Sequence, residues 1–147
     1  MSKSILVFDP GESTGWCFQA SNGLVYGGTA RKDHLEVANL IRIAQPDIVV
    51  LERFNLYPQM AKSLSWNSFY PCETIGVIKV VCMELNIPVA EQAPGIKKYF
   101  GGFQPDWDTI GYLPLQLEPF SKGVTEHTKD AYMHYRYFLR NGLKKFV

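Results

Sequence analysis

No stretch of about 18 apolar residues runs through this sequence, so no segment has the length and character of a membrane-spanning helix. Cysteine is scarce: Cys17, Cys72 and Cys82 form neither a C-x-x-C pair nor another metal-binding spacing. An odd number of thiols so placed argues against a disulfide framework and predicts buried, reduced side chains. Net charge is also nearly absent at +1, which says little, because basic groups facing a polyanion and an acidic metal site would cancel in the sum. The N-terminus passes from Lys3 straight into a strand-like segment, without the profile of a signal peptide, so a cytoplasmic, reducing location is expected. There is no internal repeat and no low-complexity tract.

What is present is enough for one core. At 147 residues a chain buries roughly 70% of its unfolded surface in a single domain, here expected to span residues 1–147. An apolar content of 46% against 20% charged residues places it among folded proteins rather than disordered ones.

Along the chain, residues 4–9 read as a buried strand, because Ile5, Leu6, Val7 and Phe8 are continuously apolar and stop at Asp9-Pro10-Gly11. Residues 16–19 and 24–29 read as two strands joined at Ser21-Asn22-Gly23, since Asn-Gly favours a tight hairpin. The opening three strands thus form an antiparallel meander. Asp33, with Glu36 three residues on, suggests an Asp-led capping box for a helix over residues 35–44, ended by Gln45-Pro46. A second buried strand, Ile48-Val49-Val50-Leu51, also ends on an acid, Glu52. Residues 53–71 are aromatic and irregular, and residues 72–86 resume a helical pattern through Ile75, Val80, Cys82, Met83 and Leu85. Residues 88–91 predict a short strand and 94–100 a short helix begun by Pro94. Residues 101–123 combine glycine and proline without a period, which predicts a long loop that orders on substrate. Thr125 then caps a helix over 125–141 that Gly142 closes. Strand, helix, strand, helix, strand implies parallel crossovers beside the meander: an α/β fold with a mixed five-stranded sheet flanked by helices.

Acids at strand tips and helix starts can converge on one cleft although far apart in sequence. Asp9 and Glu52 each follow a buried apolar run, while His127 and Asp130, three apart, share a helix face with Ala131 and His134. Carboxylates brought together repel in a low dielectric, and a hard divalent cation with oxygen ligands is the usual remedy, which points to Mg²⁺ or Mn²⁺. Two such ions could clamp a phosphate. Each residue also has a plainer explanation. Asp9 could cap the Asp-Pro-Gly turn, Glu52 could pair with Arg53 or a lysine, and His127-x-x-Asp130 could serve the helix N-terminus. Lys97-Lys98 and Lys144-Lys145 could meet phosphates or simply be solvated surface.

Ile5-Leu6-Val7-Phe8-Asp9-Pro10-Gly11 with Thr14-Gly15 resembles the first-strand motif of RuvC-like Holliday junction resolvases, members of the ribonuclease-H-like superfamily. Val49-Val50-Leu51-Glu52 is similar to that family's second acidic strand, Ile87-Pro88-Val89-Ala90-Glu91 to its next strand, and His127-x-x-Asp130-Ala131 to its terminal acidic helix. The four motifs occur in the family's order and span nearly the whole chain. The resemblance implies a ribonuclease-H-like fold and an endonuclease that resolves four-way DNA junctions as a homodimer with two Mg²⁺ or Mn²⁺ ions per site. By the same resemblance Asp9 would bridge the metals, Glu52 and Asp130 would complete their shells, and His127 would bind a metal or activate water.

Two departures stand out. The turn after Asp9 is one residue shorter than in the cellular bacterial enzymes, and residues 53–70 are longer and more aromatic where those carry a junction-wedging loop. Phe54, Leu56 and Tyr57 are candidates to stack on unpaired bases, or alternatively core or dimer contacts, and Arg53, Lys62, Lys97 and Lys98 join them as candidate DNA-binding residues. The compact form points to a bacteriophage version acting in a bacterial cytoplasm. A sugar-kinase-like ATPase is disfavoured, because its duplicated domain and second phosphate motif do not fit this length, so no nucleotide cofactor is expected. A ribonuclease or flap nuclease of the same fold, or an inactive nucleic-acid-binding module, remains the alternative.

Overall fold

The computed structural model describes residues 2–54, 69–96 and 114–146. Five strands, β1 (Ile5–Asp9), β2 (Thr14–Gln19), β3 (Val25–Ala30), β4 (Ile48–Glu52) and β5 (Val89–Gln92), form one sheet in the order β3-β2-β1-β4-β5. β1 and β2, and β2 and β3, are antiparallel, whereas β1–β4 and β4–β5 are parallel. The predicted meander and crossovers are therefore both present, and the fold is α/β and ribonuclease-H-like. The hairpin turns at Gly23, whose φ of 89° is a conformation that side chains rarely adopt. Ala20 N–H donates to the Leu24 carbonyl and closes it.

Among the described residues, three α-helices cover the sheet: α1 (His34–Ala44), α2 (Tyr70–Leu85) and α3 (Glu126–Asn141). Strand alternation decides what each face meets. Leu6, Phe8, Val49 and Leu51 point to one side and pack with Leu40 and Ile41 of α1 and Ile78, Val81 and Cys82 of α2. Ile5, Val7, Ile48 and Val50 point to the other and pack against Ala131, Tyr132, Tyr135 and Phe138 of α3. β1 and β4 are apolar at consecutive positions because both faces are covered.

Several local expectations need correction. Asp33 does cap α1, accepting from Leu35 N–H, but Glu36 turns to Arg31 (3.2 Å) instead of closing a capping box. In α2 the buried positions are Thr74, Ile78, Val81 and Cys82, while Val80 and Met83 face solvent, so the apolar residues read from sequence straddle two stripes of the helix. Cys17 and Cys82 are buried as expected, but Cys72, in the first turn of α2, is exposed. The described end of the expected long loop is packed: Leu117 is buried in the α1/α2 cluster, and a 3-10 turn at Glu118–Phe120 follows it. Trp16 Nε1–H donates to the Phe120 carbonyl and fixes that segment on the sheet. Gly142 closes α3 without a left-handed conformation (φ −118°); a side chain there would meet the Phe138 ring at 2.6 Å. No helix among the described residues is long and apolar enough to cross a membrane.

Candidate metal centre

β1 and β4 run parallel with Phe8 beside Leu51, so the next residue of each strand brings Asp9 and Glu52 to neighbouring tips on strands about 4.8 Å apart. Both belong to the alternation of Val7 and Val50 and thus face α3. Asp9 is 7% exposed. The turn after it is closed by Thr14, whose hydroxyl donates to the Gly11 carbonyl at 3.2 Å.

The N-terminus of α3 lands directly above Asp9 because Gly15, paired with Asp9 across the β1–β2 ladder, has no side chain. A Cβ on Gly15 would occupy the space of the His127 carbonyl group. Hydroxyls fasten the helix there. Thr29 Oγ1 lies 2.7 Å from Thr125 Oγ1 and 2.9 Å from Thr128 Oγ1, and the Thr128 hydroxyl donates to the Gly28 carbonyl. Thr125 and Thr128 also form a reciprocal capping box.

This anchoring sets His127 and Asp130 against the strand tip. His127 Nδ1 is 3.6 Å from Asp9 Oδ2, and ligand atoms of Asp9, His127 and Asp130 all lie within 4.8 Å of one another. The donor set fits a divalent ion. Two ligands on one Mg²⁺ stand at most about 4.2 Å apart, since each sits roughly 2.1 Å from the ion, so small side-chain movements suffice. Two carboxylates suit Mg²⁺ or Mn²⁺, and the imidazole adds a ligand that Mn²⁺ accepts more readily than Mg²⁺.

Glu52 is not one of those three. Its Oε2 lies 2.9 Å from Nε2 of His134, which is fully buried on α3. His134 thus gives Glu52 a partner from a different element, four residues beyond Asp130 on the same helix face. His134 was visible as part of that stripe; its contact with Glu52 was not, nor was that with Gln92 of β5.

Of the candidate DNA-binding residues, Arg53 is exposed directly after Glu52, and its N–H donates to the Gln92 carbonyl at 2.8 Å. Phe54 is partly buried. Leu56, Tyr57, Lys62, Lys97 and Lys98 lie outside the described residues. Lys144 and Lys145 sit in a turn beyond the far end of α3, roughly 25 Å along its axis from His127 at 1.5 Å per residue. The pattern reading overlooked Lys122, whose Nζ is 3.0 Å from Ser13 Oγ over the turn that follows Asp9.

No family model matches the chain, and no curated protein matches it by sequence. Solved structures do resemble it. RuvC of T. thermophilus in complex with a Holliday junction substrate is 15% identical with a TM-score of 0.61, covering 96% of this chain and 97% of that one. A second structure, of Thermus thermophilus RuvC, is 15% identical with a TM-score of 0.56 and covers 95% and 96%. The chain thus has the RuvC fold, which upholds the resemblance drawn from its motifs.

Proposed function

We propose that this chain is a metal-dependent endonuclease that hydrolyses phosphodiester bonds at four-way DNA junctions. The observation that carries the reading is the meeting of Asp9, His127 and Asp130 at the strand tip, with Glu52 on the adjacent tip of the same face. RuvC with the same fold was solved on a Holliday junction substrate, which supports the choice of DNA over other phosphodiesters.

Asp9, His127 and Asp130 would hold one Mg²⁺ or Mn²⁺, and Asp9 with Glu52 a second. Bound there, the ions would polarise the phosphoryl group and acidify the attacking water. The protein's own part is to keep the acids fixed and to shield them on the sheet side. Asp9 contributes from a buried position, while His127, with its side chain about half exposed, stands at the mouth, where its ring would either bind the ion or, left unligated, accept a proton from the incoming water. Arg53 and Lys122 flank the two tips as cations for the DNA backbone, and Phe54, Leu56, Tyr57, Lys62, Lys97 and Lys98 are the further residues assigned to DNA contact from the sequence. Cutting two symmetric strands calls for a two-fold homodimer, with residues 1–147 as one catalytic domain per subunit, acting in the cytoplasm.

The test is cleavage of labelled four-way junction, linear duplex and RNA–DNA hybrid with Mg²⁺, Mn²⁺ or chelator, beside Asp9→Asn and Glu52→Gln. Nicking should favour the junction, vanish with chelator, and fall roughly 10²–10³-fold in each variant, the usual scale for removing one preorganised electrostatic group. Equal activity in both variants would overturn the carboxylate site. Preference for the hybrid would keep the chemistry and transfer the substrate to RNA.

A further inference from the structure

The α3 face holds a second imidazole that the chemistry above does not use. His134 is completely buried, and its ring is clamped between two strands. Nε2 lies 2.9 Å from Glu52 Oε2 on β4, and Nδ1 lies 3.0 Å from Gln92 Nε2 on β5. The same Gln92 nitrogen is 3.0 Å from the backbone carbonyl oxygen of His134.

These contacts determine where the ring proton sits. A carbonyl oxygen only accepts, so the Gln92 atom facing it must be the amide nitrogen, whose second hydrogen is then available to Nδ1. Nδ1 is therefore the acceptor, the proton is on Nε2, and the neutral ring donates to the Glu52 carboxylate. A lysine or arginine in this place would also hold Glu52, but it would neutralise the charge that a metal needs. A neutral donor orients the carboxylate and leaves its charge in place.

We propose that His134 is a positioning residue for Glu52, locked by Gln92 as the Nε2–H tautomer so that one carboxylate oxygen is fixed and the group enters the metal centre already oriented. The inference rests on the reading of Glu52 as part of that centre. It adds a buried relay, β5 to α3 to β4, in which Gln92 sets the ring, the ring sets the acid, and neither Gln92 nor His134 touches DNA or metal.

The first measurement is independent of activity: long-range proton–nitrogen correlation spectra of the full chain, labelled at histidine and free of metal. His134 is assigned against His34 and His127 by the His134→Gln variant. A protonated Nε2 and an unprotonated Nδ1 are expected. A proton on Nδ1, or on both nitrogens, would overturn the proposal whatever the enzyme does.

The second is Mn²⁺ binding followed by electron paramagnetic resonance, beside the kinetics of junction cleavage. His134→Phe should weaken Mn²⁺ binding about tenfold to a hundredfold, the scale of losing a ligand's hydrogen-bonded support, and lower kcat while leaving KM for the junction unchanged. His134→Gln, whose side-chain amide can donate from near the Nε2 position, should recover most of that loss; equal behaviour of the two variants would overturn the proposal. Should His134→Phe fail to fold, Gln92→Leu serves in the same assays, since it frees Nδ1 and keeps the ring. It should weaken Mn²⁺ binding about tenfold, and unchanged affinity would count against the relay. Full activity in Glu52→Gln sinks the metal-centre reading itself. An inactive Glu52→Gln beside a fully active His134→Phe sinks only the positioning role.

Discussion

On the face of the sheet covered by α1 and α2, the described strands contribute Leu6, Phe8, Trp16, Phe18, Val49 and Leu51, and the buried polar side chains there include Thr14 and Thr74. On the face covered by α3, the same strands contribute smaller residues, Ile5, Val7, Cys17, Ile48 and Val50, and buried among or beside them are Asp9, Thr29, Gln92, Thr128 and His134. A buried polar group costs stability unless it is hydrogen-bonded or paired, so the polar positions on the second face are matched across elements: Asp9 with His127, Thr29 with Thr125 and Thr128, Gln92 with His134, and His134 with Glu52. The contrast shows a division of labour within one sheet. One face supplies apolar burial; the other gives up some of it to seat a helix whose position is fixed by polar contacts and whose first turns carry the candidate metal ligands.

Residues one step apart on β1 break the comparison most directly. Phe8 is fully buried on the apolar face, so Phe8→Ala should cost about 3–5 kcal/mol in unfolding by denaturant. Asp9→Asn should shift stability by less than about 1 kcal/mol, because losing the pairing with His127 is offset by losing repulsion from Asp130. Cleavage should show the reverse: whatever Phe8→Ala retains at a temperature where it is folded, Asp9→Asn should retain far less. If Asp9→Asn destabilised the chain as much as Phe8→Ala, the polar face would be structural rather than chemical.

Gly15→Ala tests how closely α3 must approach. A Cβ there collides with backbone, the His127 carbonyl, which cannot swing aside as the end of a flexible side chain can. The expected cost is about 3 kcal/mol, the upper end of ordinary overpacking. Activity should fall further than stability accounts for, since the variant lifts His127 and Asp130 away from Asp9. Thermal melts beside cleavage rates measured well below the melting point separate the two effects, and unchanged activity in a destabilised variant would show that the helix position is not what assembles the site.

Much of this architecture was legible in the sequence because it is written in local patterns. β1 and β4 are short runs of apolar residues ending on acids, and only strands covered on both faces read that way. Asn22-Gly23 marked the hairpin, and Thr125 marked the start of α3. The pairing of Asp9 with His127 and Asp130 followed from placing strand tips and a helix start together, with the RuvC-like motifs supplying their order. What could not be read depends on contacts across long separations. Leu117 follows Leu113 and Leu115 among turn formers, and nothing local tells it, buried in the core, from Leu115, which is exposed. Gln92 and His134 are 42 residues apart, and neither carries a local signal of the other. Gly15 stood out in sequence only as part of the first-strand motif, whereas its structural reason is a helix lying on top of it. Cys72 was expected to be buried on composition alone, which cannot tell the first turn of a helix from its covered stripe.

The cysteines offer the gentlest way to sharpen the contrast between faces, because each reports on a different place. Cys72 is exposed, Cys82 lies in the last turn of α2 against the apolar face, and Cys17 lies in mid-sheet on β2 under α3. Burial pushes the Cys82 thiol up to about 11 and that of Cys17 higher still, and thiolate is the reactive form, so both must be uncovered before they react. Under native conditions a maleimide followed by mass spectrometry should modify Cys72 first, Cys82 next as the end of α2 frays, and Cys17 last, because β2 is hydrogen-bonded on both sides. The differences are in rate alone, with little change in stability. Reaction of Cys17 before Cys82 would mean that α3 leaves the sheet more readily than α2 does, and that the polar contacts around Thr29 hold α3 less firmly than apolar packing holds its counterpart.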